Sequence, residues 1–434
     1  MSKIVNIVTL GCSKNKVDSE FLGAKLFELG YKVEHDSDHN SDIVIVNTCG
    51  FIGDAKEESV ETILSFAQLR KRKKLSKLVV MGCLSQRYKK DLEDEIHEVD
   101  AFFGVNDLDK ITSLFESEAV PGEGVLCNST RILSTLNHYA YLKISEGCDR
   151  SCSFCAIPLI RGKHVSQTIE SLVKEAGMLA AMGVKELVLI AQELTYYGLD
   201  VYGKRTISQL IEKLSEIEGI EWIRIQYAYP HGFPDDLLDV MASNPKVCNY
   251  IDLPLQHISS RILASMKRNV DKQQTLDLVK KIRERIPGVA FRTTFIVGYP
   301  GETEEEFKEL FDFVKEARFD RMGVFAYSPE EGTSAFELED TIDDDVKVQR
   351  VELLMELQQG ISLEINLNRI GSVEKVLIDK LEGDYFIGRT AYDSPEVDNE
   401  VLILAQQKLQ IGSFYQVEII DADHFDLYGK VIQS

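Results

Sequence analysis

Cys148, Cys152 and Cys155 stand as Cys-x3-Cys-x2-Cys in the stretch EGCDRSCSFCAIP, directly after the strand-like run Tyr139–Ile144. Three thiolates this close can hold three irons of a four-iron, four-sulfur cluster. Such a cluster normally takes four thiolates, and no fourth cysteine lies nearby, so one iron stays open for a small molecule. The competing reading is a structural zinc knot. Zinc asks for four ligands in a closed tetrahedron, usually supplied by paired Cys-x2-4-Cys hooks. Here one hook is missing, and no histidine follows at zinc spacing.

Three further cysteines share a second kind of place. The apolar run Ile4–Leu10 ends at Gly11-Cys12, Ile43–Asn47 ends at Thr48-Cys49, and Leu78–Met81 ends at Gly82-Cys83. Helical patterns lie between these runs. Val17, Phe21, Leu22, Leu26 and Leu29 recur at helical spacing before Gly30, a residue suited to the C′ position, and Val60, Ile63, Leu64 and Ala67 repeat the pattern. Such alternation predicts a doubly wound parallel sheet, whose ligands bind outside the carboxyl ends of the strands. Cys12, Cys49 and Cys83 should therefore converge and make a second three-cysteine cluster site. The bland alternative is three small buried residues, since cysteine is among the most buried types. Cys127 and Cys248 have no such company and read as ordinary packing residues.

The elements that must position these loops fall into three units. Residues 1–120 form the first α/β unit. Glu118–Asn137, with Pro121, Gly122 and Gly124, reads as a linker. Residues 135–368 resume the alternation, with candidate strands Tyr139–Ile144, Glu186–Ala191, Trp222–Ala228, Tyr250–Leu255, Phe291–Val297 and Met322–Tyr327. These suggest a partial (βα)6 barrel, with the Cys148–Cys155 loop on its carboxyl-end face, where barrel active sites lie. A closing helix is expected over Ile342–Leu367. Residues 369–434 switch to five short β runs, which predict a small antiparallel, OB-like barrel. The 434 residues carry a net charge of −22 and are 44% hydrophobic. That charge disfavours a phosphate backbone as the main partner and favours a basic one. No apolar run approaches a membrane span, no signal-peptide pattern opens the chain, and unpaired cysteines fit a reducing cytoplasm.

With these features in place, the chain resembles the radical S-adenosylmethionine (radical SAM) methylthiotransferases over essentially its whole length. The three-cysteine loop with Phe154 before its last cysteine, and the three-part order ending in a TRAM domain, carry the likeness. GCSKNKVDSE at Gly11–Glu20, CAIPLIRGKH at Cys155–His164, YAYP at Tyr227–Pro230 and AYDSPEVDNEV at Ala391–Val401 resemble the RimO type. The resemblance implies two 4Fe-4S clusters. One, on Cys148, Cys152 and Cys155, would bind SAM and cleave it to a 5′-deoxyadenosyl radical. The auxiliary one, on Cys12, Cys49 and Cys83, would carry the sulfur that a second SAM methylates. The implied reaction adds a methylthio group to the β-carbon of an aspartate in small-subunit ribosomal protein twelve. A low-potential donor such as a flavodoxin or ferredoxin would supply electrons. The sister type modifies an adenosine in transfer RNA, and a non-catalytic zinc-containing RNA-binding protein is the alternative from another class.

Other residues carry weaker signals. Gln192 and Glu193 end the second barrel strand, where family members bind the SAM amino group or ribose; a polar strand end is the alternative. Phe154 and Ile157 are candidates to pack near adenine, or simply to pack. Arg161 and Lys163 are candidates to meet the substrate carboxylate near the SAM cluster. GYPGE at Gly298–Glu302 looks like a phosphate loop without its lysine, and Thr303 with Glu306 has capping-box spacing. Arg70–Lys74 reads as a cationic helix end, and His257 as a satisfied strand-end histidine. The last segment, from Gly371, has five lysines and arginines against twelve aspartates and glutamates, a net of −7. Its acidic turn Asp393–Glu400, with Asp421, Asp423 and Asp426, is the expected contact for a basic partner. No general base or further catalytic side chain is expected beyond the cluster ligands.

Overall fold

Ile43, Ile45, Val79 and Met81 face one layer of helices, while Val44, Val46, Leu78 and Val80 face the other. Successive side chains of a strand point to opposite faces, so a continuous apolar run can be buried only with both faces covered. The computed structural model, which describes residues 3–37, 41–116, 131–406 and 408–432, builds that arrangement. Its first sheet contains β1 (Ile4–Thr9), β2 (Lys32–His35), β3 (Ile43–Thr48), β4 (Lys77–Gly82) and β5 (Ala101–Phe102), in the order β2-β1-β3-β4-β5. All pairings are parallel. The sequence did not announce β2 and β5: one is half-exposed and the other has only two residues. The helix Ser13–Glu28 follows β1, and Gly30 takes φ +89° just beyond its end, where that left-handed geometry suits a residue without a Cβ.

The second sheet holds β6 (Tyr139–Lys143). A short antiparallel pair, β7 (Ser145–Glu146) with β8 (Val165–Ser166), then brackets the cysteine loop. β9 (Glu186–Ile190), β10 (Trp222–Ile225), β11 (Val247–Asp252), β12 (Ala290–Val297) and β13 (Arg321–Ala326) complete a six-stranded parallel sheet in the order β13-β12-β11-β10-β9-β6. β6 and β13 are its edges, so it is a partial barrel, and the helix Asp344–Leu367 packs along β13. β10 is shorter than its apolar pattern suggested. Tyr227 turns to φ +65°, a conformation strained for a bulky side chain, and ends the ladder.

The third unit is a closed barrel of β14 (Val373–Glu382), β15 (Tyr385–Thr390), β16 (Val401–Leu404), β17 (Phe414–Ala422) and β18 (Leu427–Val431). Four pairings are antiparallel; β16 and β18 close the ring in parallel. It docks where the strands of the partial barrel begin. Trp222, Cys248, Tyr250 and Ala290 share one apolar cluster with Leu377 and Phe414.

The acidic turn Asp393–Glu400 is not a free surface. Asp393 is buried in an ion pair with Arg321. Asp398 accepts from Tyr250 (2.7 Å) and Arg292 (3.3 Å). Glu396 meets Lys16 at 2.6 Å and the hydroxyls of Tyr139 and Tyr141 at 2.9 and 3.1 Å. The turn therefore floors the partial barrel instead of greeting a partner, because buried arginines and tyrosines of the barrel consume its carboxylates. Asp423 holds the β17–β18 turn by accepting from the Phe425 and Asp426 N–H groups, Asp426 accepts from the Glu400 N–H just before β16, and Asp421 is exposed.

The linker expected over Glu118–Asn137 lies partly outside the described residues, and so does Cys127. From Arg131 onward the segment is described, and Arg131 is buried. That guanidinium, 1% exposed, reaches Glu20 of the first unit, Glu175 at 2.8 Å and the Tyr141 carbonyl at 2.7 Å.

Candidate active site

β1, β3 and β4 are neighbours, and their carboxyl ends deliver Cys12, Cys49 and Cys83 to one edge. Cys12 is the N-cap of Ser13–Glu28, Cys49 follows β3 directly, and Cys83 opens the helix Cys83–Glu95. Two glycines make the approach possible. Gly11 has φ +86°, and a Cβ there would meet the Cys49 Cβ at 2.7 Å; Gly82 has φ +102°, and a Cβ would meet the Thr48 carbonyl at 2.6 Å. Asn15 ties the edge together. Its amide donates to the carbonyls of Leu10 (2.8 Å) and Thr48 (3.1 Å), and its oxygen faces the Cys83 sulfur at 3.7 Å.

The other triad lies on the carboxyl-end face of the partial barrel, between β7 and β8. Cys148 N–H donates to Gly162, Arg150 N–H to the Cys148 sulfur (3.4 Å), and Cys155 N–H to the Cys152 carbonyl (3.2 Å). Arg268 Nη1 stands 3.5 Å from the Cys152 sulfur and the Tyr229 hydroxyl 3.7 Å. Ser153 anchors the loop through the Tyr299 hydroxyl at 2.8 Å.

All six cysteines are free of disulfides. Burial pushes the Cys83 and Cys155 thiols up to about 12 and Cys148 up to about 11; Arg161 opposes the shift at Cys83. Thiols so placed stay protonated until a cation replaces the proton, as metal uptake requires. Among the described residues no three ligating groups converge tightly enough to hold a single ion. Cluster ligands bind different irons at separate corners, so a looser grouping of three sulfurs fits a cluster. The donor sets suit iron–sulfur clusters at both places.

The residues proposed for SAM have mixed surroundings. Gln192 donates to Glu146 at 2.6 Å, and its Oε1 is buried without a partner, an acceptor left for a bound group. Glu193 is buried against Arg150 (3.1 Å) and Thr195. Phe154 packs on Ile262, Met266 and Tyr299, and Ile157 opens the short helix Ile157–Arg161. Arg161 ends the helix that follows Cys155 and reaches across to the triad of Cys12, Cys49 and Cys83. It bonds Asp18 and Glu146 at 3.0 Å, Asn15 at 2.6 Å and the Cys83 sulfur at 3.6 Å. Lys163 is exposed.

His257 is satisfied by Ser259 N–H and Glu302. Glu302 also accepts from Gly298 N–H and Arg350, and Thr303 with Glu306 forms a capping box. The GYPGE loop is thus bonded to itself, and its Tyr299 braces the cysteine loop. Arg70 ends its helix against Asp100.

Sequence reasoning marked YAYP and GCSKNKVDSE as family-like motifs but gave Tyr227, Tyr229 and Lys14 no role between the triads. Tyr227 and Tyr229 project from one loop after β10. The Lys14 ammonium sits 2.9 Å from the Tyr227 ring centre, while Arg150 and Arg268 lie 4.0 and 4.2 Å from the Tyr229 ring. Burial brings Lys14 down to about 8, against the pull of Cys12, Asp252 and Glu146. Nothing in residue spacing marks Lys14, because its neighbours come from a different domain.

Comparison with known proteins places this architecture. The radical SAM superfamily matches residues 142–314, the family UPF0004 residues 4–104, and the TRAM domain residues 370–432. Among solved structures, the radical SAM methyltransferase TsrM from Kitasatospora setae superposes with a TM-score of 0.55 at 16% identity, over 76% of this chain and 77% of that one. The cobalamin-dependent enzyme OxsB gives 0.51 at 14% identity, over 82% and 56%. At such identities the likeness is one of fold. Fold and matched domains define a radical SAM enzyme with a TRAM barrel. Curated relatives named ribosomal protein uS12 methylthiotransferase RimO are 55% identical in Cytophaga hutchinsonii, over 99% of this chain and 98% of the relative. The same name attaches to relatives in Bacteroides thetaiotaomicron (52%, 100% and 99%) and Flavobacterium psychrophilum (54%, 98% and 97%). The chain belongs to the RimO family.

Proposed function

We propose that this protein is a radical SAM methylthiotransferase acting on ribosomal protein uS12, where it exchanges a β-hydrogen of an aspartate for a methylthio group. The observation that carries the reading is the tripeptide Tyr227–Tyr229, whose first ring carries Lys14, two residues from Cys12, and whose last hydroxyl stands 3.7 Å from the Cys152 sulfur. Cys148, Cys152 and Cys155 would hold the 4Fe-4S cluster that binds SAM. Cys12, Cys49 and Cys83 would hold a second. When bound, these groups supply one-electron cleavage of SAM and a sulfur donor; the chain supplies placement and a closed site.

Around them the protein's own side chains have defined tasks. Tyr229 and Arg268 orient Cys152, Arg161 and Asn15 orient Cys83, and Gln192 and Glu193, with Phe154 and Ile157, line the ground on which SAM would lie. Residues 1–120, 135–368 and 369–434 act as the auxiliary-cluster, radical SAM and TRAM units. Among the described residues no helix is long and apolar enough to cross a membrane. A cytoplasmic setting and a flavodoxin or ferredoxin as electron donor complete the reading. The transfer RNA alternative is disfavoured by the net charge of −7 on the last segment, since RNA-binding barrels need a basic groove.

The test is anaerobic reconstitution with iron and sulfide, followed by SAM, reductant and either uS12 or transfer RNA. Mass spectrometry should find methylthiolated uS12 and unmodified transfer RNA. Modified adenosine with untouched uS12 would reverse the substrate, and a colourless zinc protein that takes up no iron would end the radical SAM reading.

A further inference from the structure

Among the described residues six cations crowd the space between the triads, and five have hydrogen-bond or ion-pair partners. Arg161 and Lys143 share Asp18 and Glu146. Arg150 pairs with Glu193, and Arg292 with Asp252 and Asp398. Arg268 has no carboxylate partner and its Nε is buried without an acceptor, but its two terminal nitrogens donate to the Pro254 carbonyl and the Cys152 sulfur. Lys14 is the exception. It is 6% exposed, and among the described residues its ammonium has neither an ion pair nor a hydrogen bond; it rests only on the Tyr227 ring.

Such a placement is unfavourable on two counts. A buried ammonium without hydrogen-bond acceptors keeps a large desolvation penalty, which one aromatic face offsets only in part. Lys14 also stands in the first turn of Ser13–Glu28, which holds no acidic residue, and a cation there opposes the helix dipole. The ring it rests on is itself held at φ +65°. Strain and an unpaired charge coincide at one point, two residues from Cys12 in sequence and beside the loop that reaches Cys152.

We propose that Lys14 is the specificity-determining residue that binds the side-chain carboxylate of the acceptor aspartate. This rests on the function proposed above and names the group that reads the substrate. The carboxylate is one bond from the β-carbon. Gripping it on Lys14 would hold the reacting C–H between the loop of Cys148–Cys155 and the edge of Cys12, Cys49 and Cys83. Arg161, the sequence-based choice for this task, has its donors filled by Asp18, Glu146 and Asn15.

The test is binding, measured on the reconstituted enzyme with SAM and no reductant, so that nothing turns over. Labelled uS12 and a uS12 variant with asparagine at the acceptor position are titrated against wild type, Lys14→Met, Lys14→Gln and Lys14→Arg. A charge-assisted contact of this kind should make wild type prefer the aspartate form by about tenfold to a hundredfold. Lys14→Met and Lys14→Gln should bring the two forms to within about twofold, while Lys14→Arg keeps most of the preference. A purely structural lysine would weaken both forms alike.

Wild type that binds both forms equally, or a neutral variant that still discriminates, overturns the assignment. Iron content identifies any variant that fails to assemble, and the wild-type comparison then decides alone. With reductant added, wild type that never modifies uS12 defeats the functional reading itself. Modification by wild type, together with undiminished preference in Lys14→Gln, defeats only the role of Lys14.

Discussion

Arg161 and Cys83 come from different domains, and the guanidinium donates to the sulfur across 3.6 Å. The same side chain bonds Asp18 on the first unit and Glu146 beside the loop of Cys148–Cys155, so it couples the placement of one triad to the other. Replacing it by methionine leaves two carboxylates facing Lys143 alone. The expected cost is about 3 kcal/mol, since breaking a buried ion-pair network strands uncompensated charge. Thermal melting of the metal-free protein checks this, and Arg161→Lys should recover part of the loss but not the fork geometry. Unchanged melting in Arg161→Met would show that the domains are held together elsewhere.

The two triads should be separable. Cys152→Ala should abolish 5′-deoxyadenosine formation. Cys49→Ala should retain it and lose methylthio transfer. Wild type should carry about eight irons and the Cys12→Ala/Cys49→Ala/Cys83→Ala variant about four. Methylthiolated product from the Cys49 variant would remove the auxiliary assignment.

Glu396 joins the TRAM barrel to both other units through Lys16, Tyr139 and Tyr141. Burial and this carboxylate push both tyrosine hydroxyls well above their ordinary range, so they remain donors at any physiological pH. Glu396→Gln keeps the shape and removes the charge, with an expected loss of about 1–2 kcal/mol. Limited proteolysis should then release the segment after residue 368 faster than in wild type. Equal rates would mean that Asp393 and Asp398 alone hold the floor.

Glu306 gives a pH signature far from the clusters. Burial alone would raise its carboxyl, but the Arg261 guanidinium, Thr303 N–H and Ser259 hydroxyl outweigh it and bring it down to about 2. A depressed folded-state value contributes stability above the unfolded value near 4.5, and that contribution is lost as pH falls from there towards 2. After allowance for solvent screening the effect is about 1–2 kcal/mol. Melting of the metal-free protein at pH 5 and pH 3 should show a smaller acid-induced drop in Glu306→Gln than in wild type.

Local rules carried the sequence reading a long way. The Cys-x3-Cys-x2-Cys loop needs only chain proximity. The convergence of Cys12, Cys49 and Cys83 follows from strand–helix alternation, because parallel strands place their carboxyl ends on one edge. The capping box at Thr303 and the satisfied His257 likewise rest on neighbours a few residues away.

What the sequence could not reveal is which charges find each other across domains. Asp393, Glu396 and Asp398 read as an acidic surface, yet they lie beneath the partial barrel because Arg321, Lys16 and Arg292 meet them there. Arg161 read as a substrate contact, yet its terminal nitrogens are taken by Asp18, Asn15 and Cys83 of the first unit and by Glu146 of the second. Lys14 carried no signal in spacing or composition. Its burial between the two triads exists only once the first sheet is docked on the partial barrel, since ion pairing depends on three-dimensional separation and not on the order of residues.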